Sequence, residues 1–440
     1  MEHLHTLISE NAVCISAVIL FIAYIFIAWE KIPKVVIALL GGSITLLLGL
    51  LDTEKGENLS SYFISFIDFN VIFLLVSMMI IVHIASKSGM FTWFANEMLK
   101  RTKGKPVHVL AALAVFTAVA SAFLDNVTTV ILVLPITFAA AKLLDISPIP
   151  FLITEIMCSN IGGTAKLIGD PPNIIIGSAA NFSFMDFIRE LTGVVVVIMA
   201  IVVALFILIY RKELKSSPEK MELVSKIDNS QSITDKYLAI RAGLILFLVI
   251  LGFITHDITH IPTFLIAMAG ASVLLIFEKP AEILVEVEWN TIFFFVGLFI
   301  IIGGLEHSGG IAIMAKWLLD VTNGSQTATS MIILWASGIL SGIIDNIPYT
   351  ATMAPMIATI EQTLGHAYVH PLWWSLALGA CLGGNMTIIG AAANVIVSEN
   401  AHKAGYPISF LKFLKYGIVV TFISLSVSTV YIYFRFLIHS

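Results

Sequence analysis

From residue 193 to residue 210 the chain runs without one charged side chain, and stretches of the same kind recur along its length. A helix rises about 1.5 Å per residue, so about 20 such residues cross a hydrocarbon core roughly 30 Å thick. Inside lipid each backbone amide must be bonded within protein, which leaves helices or closed barrels. Runs this long and this continuous read as helices, so the chain is constrained to an all-α membrane protein. Charge agrees: only 12% of the 440 residues are charged and 58% are apolar, whereas soluble chains carry roughly 25% charged residues. The first ten residues hold no Lys or Arg, which argues against a cleaved signal peptide. The three cysteines show no paired spacing, and no nucleotide-binding or hydrolase motif occurs.

Uninterrupted runs predict spans at 11–29, 35–51, 67–86, 193–210, 239–255, 262–277, 290–305 and 416–434. Four longer stretches, 107–144, 149–180, 327–364 and 371–400, are broken by Gly, Pro, Asn or Asp, which mark turns or unwound backbone. The segment 211–241, with seven Lys or Arg and five Asp or Glu, reads as a linker between a first half, 1–210, and a second half, 242–440. Each half then holds three spans, a hairpin (107–144 or 327–364) and two further spans, the first of which is a broken helix (149–180 or 371–400). With the N-terminus outside and the linker in the cytoplasm, nineteen of the 24 Lys and Arg residues fall on inner loops. Four, including Lys55 and Arg189, fall outside, as the positive-inside rule requires. Lys34 counts among the inner-loop cations.

The halves repeat one another. At an offset of 220, Asp68-Phe69-Asn70 maps onto Glu288-Trp289-Asn290, Ser88-Gly89 onto Ser308-Gly309, and Asp125-Asn126 onto Asp345-Asn346. At 221, Gly162-Gly163 maps onto Gly383-Gly384, Gly169 onto Gly390 and Asn173 onto Asn394. An odd number of crossings per half gives the copies opposite orientation, the plan of many secondary carriers.

The candidate site residues fall at the interruptions. SAFLDNVTT (121–129) and SGIIDNIPYT (341–350) carry Asp125, Asn126, Thr128, Asp345 and Asn346 between two apolar legs. A charged side chain at mid-bilayer costs roughly 2.5–3.5 kcal/mol, so these acids either face an ion, water or partner, or cap the second leg. SNIGGTAKLIGDPPNII (159–175) and CLGGNMTIIGAAANVI (381–396) carry Asn160, Gly162, Gly163, Thr164, Asn173, Gly383, Gly384, Asn385, Thr387 and Asn394. Paired glycines let backbone approach a ligand or pack helices closely, and Pro171-Pro172 stops a helix. Half-helix ends would present amide dipoles to anions and carbonyls to cations. Lys166 and Asp170 break the symmetry, since Thr387 and Ala391 stand opposite them. They form either a local ion pair or a site in which the ammonium replaces a sodium ion. Glu155, His83, His307, Cys158 and Cys381 are weaker candidates.

At these motifs the chain resembles the ion transporter superfamily, in particular the ArsB/NhaD group that includes the melanosomal P protein, from about residue 35 to residue 434. The resemblance implies two inverted five-span repeats with re-entrant hairpins, a scaffold plus an elevator-type transport domain, and a homodimer. It also implies a site at Asp125-Asn126, Asn160 to Thr164, Asp345-Asn346 and Gly383 to Asn385. The expected activity is proton-coupled efflux of arsenite or antimonite, with sodium/proton exchange or another small-anion permease as alternatives. No cofactor is expected beyond the coupling ion, a proton or sodium. Expected partners are a small inorganic solute or ion, the bilayer of the cell's inner (plasma) membrane, a second copy and, as an optional subunit, a cytoplasmic ATPase; nucleic acid is not expected. From another class, an intramembrane aspartyl protease would need Asp125 and Asp345 to share a proton.

Overall fold

The computed structural model describes residues 10–29, 31–51 and 64–438, whose regular structure is all helical, with no strand among them. Lys55 and the first nine residues lie outside the described residues. The first half contains α1 (Ala12–Trp29), α2 (Lys34–Leu47), α3 (Phe69–Lys87), α4 (Met90–Arg101), α5 (Pro106–Ser121), α6 (Asn126–Leu144), α7 (Ile149–Thr164), α8 (Pro171–Ala180) and α9 (Phe184–Tyr210). After α10 (Pro218–Ser225) follow α11 (Lys236–Ile254), α12 (Thr263–Leu275), α13 (Trp289–His307), α14 (Gly310–Val321), α15 (Gln326–Ile344), α16 (Asn346–Leu364), α17 (His366–Gly383), α18 (Ala392–Lys403) and α19 (Phe410–Ile432). Eight of these helices are long and apolar enough to cross a membrane, and α2, α5 and α12 are shorter apolar helices.

Caps explain the starts. Asp68 accepts from the amides of Asn70 (3.0 Å) and Val71 (3.2 Å), opening α3. Ser183 and Asp186 form a reciprocal capping box that opens α9 at Phe184. The apolar run alone predicts a start at 193, because Asp186, Arg189 and Glu190 occupy the first turns and an apolar window rejects them. For the same reason α19 starts at Phe410, capped by Ser409, rather than at 416. Two surface helices, α4 and α14, are absent from the sequence expectation. Each opens after a left-handed glycine, Gly89 (φ 81°) and Gly309 (φ 87°), which accounts for the repeated Ser-Gly pair.

The segment 211–241 is tied to the first half. Ser216 donates to the carbonyl of Leu144 at 2.7 Å, Lys220 pairs with Asp145, and Asn229 donates to the carbonyl of Trp93 at 3.0 Å. The Thr234 amide donates to Ser88 at 3.1 Å, closing the segment against the end of α3.

Helix contacts come in matched sets. Helix α2 packs on α13, and α12 packs on α3; α5 packs on α7, and α15 on α17. The broken helices also make contacts across the halves, α8 on α16 and α18 on α6 among them. Lipid supplies no hydrophobic drive between helices, so close van der Waals fit must hold such pairs. An aromatic cluster adds to it: Phe182 stacks on Trp374 at 4.6 Å between centroids, and Phe187 meets Trp374 edge-on at 5.2 Å.

Candidate functional site

Both broken helices divide where the sequence interrupts them, but by different chemistry. Between α7 and α8, Pro171-Pro172 supplies no amide donors and suits a helix start. Between α17 and α18 no proline is present, and Ala391 precedes the new helix. In both, an asparagine gathers the carbonyls released at the break. Asn173 Nδ2 donates to Thr164 O (3.1 Å) and Lys166 O (3.0 Å). Asn394 Nδ2 donates to Gly384 O (2.7 Å) and Thr387 O (2.8 Å). A buried carbonyl without a partner costs about 1–3 kcal/mol, so these two residues are structural staples.

The glycines divide by role. A Cβ on Gly162 would stand 2.2 Å from Ala118 O, and one on Gly383 would stand 2.4 Å from Gly338 O. These two let α7 and α17 touch the backbone of the preceding hairpin leg. Gly163 and Gly384 face the break instead, where a Cβ would meet Gly169 O at 2.8 Å and Gly390 O at 3.1 Å respectively.

Between the breaks lies a buried cluster to which both halves contribute. Asn160 Nδ2 donates to Asn385 Oδ1 and Asn394 Oδ1, each at 2.9 Å. The Asn126 carboxamide stands 3.3 Å from Asn160 Oδ1 and meets the Ser121 hydroxyl. Cys381 Sγ donates to Asn173 Oδ1 at 3.5 Å, and Thr164 Oγ1 to Asn160 O at 2.8 Å. Thr387 Oγ1 donates to Gly342 O at 2.6 Å, fastening the second break to its hairpin. Asn160, Asn173, Asn385 and Asn394 are fully buried, and Asp170 is 2% exposed.

Asp170 is reached from the other half. Asn346 Nδ2 donates to its two carboxylate oxygens at 3.2 and 3.4 Å. Cys381, Asp345 and Asn126 also stand close enough to act on its charge. The expected local ion pair with Lys166 does not form. The Lys166 ammonium lies 3.4 Å from the centre of the Phe123 ring, a cation–π contact that turns it away from Asp170.

The other predicted residues separate. Asp125 Oδ1 accepts from the Thr128 amide at 2.8 Å, a plain N-cap in which Thr128 supplies backbone and not its hydroxyl. Asp345 Oδ1 accepts from the Ile347 amide at 3.0 Å, while its other oxygen stands 3.1 Å from Lys34 Nζ. Glu155 accepts from Thr137 Oγ1 at 2.6 Å between α6 and α7. Counting Lys34 among inner-loop cations misses its partner. The usable signal is a further repeat: Ile32-Pro33-Lys34 matches Ile261-Pro262-Thr263, with the charge on one side only.

Two crevices share several matching positions, Ile174 with Val395 and Pro262 with Pro33. One, about 290 Å³, is lined by Asn70, Ile174, Ser178, Pro262 and Thr263 among others. The other, about 270 Å³, is lined by Pro33, Lys34, Asp345, Val395 and Glu399 among others.

The chain matches the citrate transporter family (CitMHS) over residues 24–379. A 46 kDa membrane protein of Mycobacterium leprae is 39% identical over 432 residues, covering 97% of this chain and 99% of that protein. An uncharacterized transporter of Mycobacterium tuberculosis is 39% identical over 429 residues, covering 96% of this chain and 98% of that one. The human P protein is 30% identical over 504 residues, which take in 96% of this chain and 60% of the longer relative. In fold, the chain is similar to the YdaH transporter of Alcanivorax borkumensis, with TM-score 0.59 and 13% identity over 93% of this chain and 97% of that one. The ion-transporter resemblance read from the motifs is borne out, and the protease alternative falls. The chain belongs to the citrate transporter family of the ion-transporter type, as a multi-pass membrane protein that is a secondary transporter and not an enzyme.

Proposed function

We propose that the chain is a proton-coupled carrier of a small polar solute, built from two inverted copies of one unit. The exchange of partners between halves supports the repeat: α2 lies on α13 as α12 lies on α3, and α18 lies on α6 as α8 lies on α16. The hairpins and broken helices form the part that moves, and the bundles of α2 with α13 and α3 with α12 form the part that stays. The N-terminus is outside the inner membrane, and the segment 211–241 is cytoplasmic.

One observation carries the substrate reading. The buried carboxylate of Asp170 sits among carboxamides from both halves and makes no ion pair among the described residues. Carboxamides donate and accept, so they suit a neutral hydroxylated solute, and Asp170 suits the coupling proton. A polyanion such as the citrate of the family's name would be repelled by an ionised Asp170. Arsenite or antimonite, as the neutral hydroxide, is therefore the first choice for efflux. Sodium/proton exchange is the second, favoured by the same oxygens, since hard cations take carboxylate and carbonyl ligands. One inward proton draws about 2.3 kcal/mol per 100 mV, enough for a roughly 50-fold gradient at 1.4 kcal/mol per decade.

The test is purified protein in liposomes, with proton flux followed on addition of arsenite, antimonite, sodium, lithium, citrate or a dicarboxylate. Flux driven by one of the first four, and abolished in Asp170→Asn, is expected. Flux driven by citrate or the dicarboxylate alone would replace the neutral-solute reading with an anion carrier.

A further inference from the structure

The two crevices differ in charge: the position of Thr263 in one is occupied by Lys34 in the other, that of Ser178 by Glu399, and Asp345 lines the second alone. Lys34 opens α2, which packs on α13, whereas Asp345 forms the turn between α15 and α16. Their ion pair thus joins two packing groups. Its side chains are only 30% and 8% exposed. Lys34 Nζ also stands 5.0 Å from the centre of the Phe294 ring. Four other titratable groups face the pair, the first being Asp170, which feels Asp345. Tyr24 of α1 donates to Pro348 O at 2.6 Å and lies near enough to feel Asp345. Glu288, at the start of α13, is within reach of the Lys34 charge. Glu399 of α18 lines the same crevice. The Asp345 carboxylate, the buried end of the pair, cannot be left charged at little cost unless it finds another partner.

We propose that Lys34 is a built-in counter-cation. Its ammonium neutralises Asp345 in the arrangement seen here. A cation from solution, a proton or sodium, replaces it whenever the turn at Asp345 leaves α2. Lys34 is then a coupling-determining residue on the part that stays, and its matching position in the other crevice, Thr263, has no such role. The inference rests on the reading that the hairpins move against α2.

Two measurements test it, and the first needs no transported solute. Thermal unfolding of the purified protein is titrated with sodium chloride against choline chloride, and separately with pH. In Lys34→Met the vacated Asp345 takes a cation, so the half-saturating sodium or proton concentration should fall at least about fivefold from wild type, the low end of usual coupling between sites. Lys34→Arg should stay like wild type, and Lys34→Met with Asp345→Asn should lose the added response. If Lys34→Met answers both cations as wild type does, the proposal is overturned. The second measurement joins Lys34→Cys to Asp345→Cys with a short bifunctional thiol reagent, in a background with Cys14→Ser. Cross-linking should stop whatever flux the uncrosslinked variant shows, and reduction should restore it. Undiminished flux in the cross-linked protein would mean the two never part. If no solute drives flux even in wild type, the transport reading fails while the cation titration still decides the role of Lys34.

Discussion

The two hairpin turns share the motif Asp-Asn at the same register, yet the folded chain gives them different work. After α5 the helix ends at Ser121, and a short turn brings Asp125 in at φ −67°, an ordinary extended backbone. After α15 the helix runs on to Ile344, and Asp345 alone makes the turn at φ 96°. A residue with a side chain pays of order 1–3 kcal/mol to hold such a conformation, and it persists only where the surroundings fix it. Here the surroundings are the Ile347 amide and Lys34. The neighbouring asparagines differ likewise: Asn126 meets neutral Asn160, while Asn346 holds the carboxylate of Asp170. Matching motifs thus sit on different turns, and Lys34 and Asp170, which have no charged counterpart at the matching positions, meet the second turn alone.

The comparison breaks most readily at Asp170. Asp170→Asn should cut proton-coupled flux about 100-fold or more, equivalent to about 2.8 kcal/mol at 1.4 kcal/mol per decade. Asn346→Ala, which strips its donors, should shift the pH dependence of that flux more than Asn126→Ala does, because Asn346 is the stronger of the two partners of Asp170. Equal pH profiles for the two asparagine variants would erase the functional difference between the turns.

Where the copies are alike, equal damage is expected. Gly162→Ala and Gly383→Ala each drive a Cβ into hairpin backbone, so each should cost about 1–3 kcal/mol, the usual penalty of overpacking. Gly193 has nothing within 4 Å of a built Cβ, so Gly193→Ala should change the unfolding midpoint little. A large asymmetry between the two clashing variants would mean that one break is looser than its twin.

The turns can then be separated by their acids. Asn caps a helix about as well as Asp, so Asp125→Asn should alter stability by less than about 0.5 kcal/mol. Asp345→Asn keeps the cap but leaves Lys34 unpaired. Breaking a buried pair costs about 3–5 kcal/mol, and because Lys34 is 30% exposed, about 1–2 kcal/mol is expected after solvent screening. Thermal unfolding at low and high salt measures both.

Much of this was legible in the sequence because it rests on covalent rules. The interruptions at 107–144, 149–180, 327–364 and 371–400 fall on the turns between α5 and α6, α7 and α8, α15 and α16, and α17 and α18. Proline, glycine and Asp-Asn pairs act locally, so spacing reveals them. What stayed hidden depends on distance across the fold. Lys166 and Asp170 are four residues apart, yet one turns to the ring of Phe123 and the other to Asn346 of the opposite half. Lys34 and Asp345 are 311 positions apart, and no local pattern links them. Four asparagines read as one group; only side-chain geometry separates the staples Asn173 and Asn394 from the bridging Asn160.

The smallest effect belongs to a tie that one half has and the other lacks. Lys220, on the segment 211–241, pairs with Asp145 at the end of α6, outside the membrane-spanning part. That hydrogen bond and charge hold the Asp145 carboxyl below its ordinary range. A depressed folded pKa means the unfolded chain binds the proton more readily. The contribution is therefore full above the unfolded value, near 3.9, and fades as pH falls through the folded value. Both groups are substantially exposed, and exposed pairs are weak and screened by salt. Lys220→Met should thus lower the unfolding midpoint only slightly at pH 7 and low salt. The difference from wild type should vanish in high salt or below the Asp145 titration. Hydrogen exchange in α10 should rise in the variant while that of α18 stays unchanged, because the tie acts on the first half alone. If the variant loosens both halves equally, the segment is a general brace and the inequality between the halves does not extend to the edge that carries Asp145.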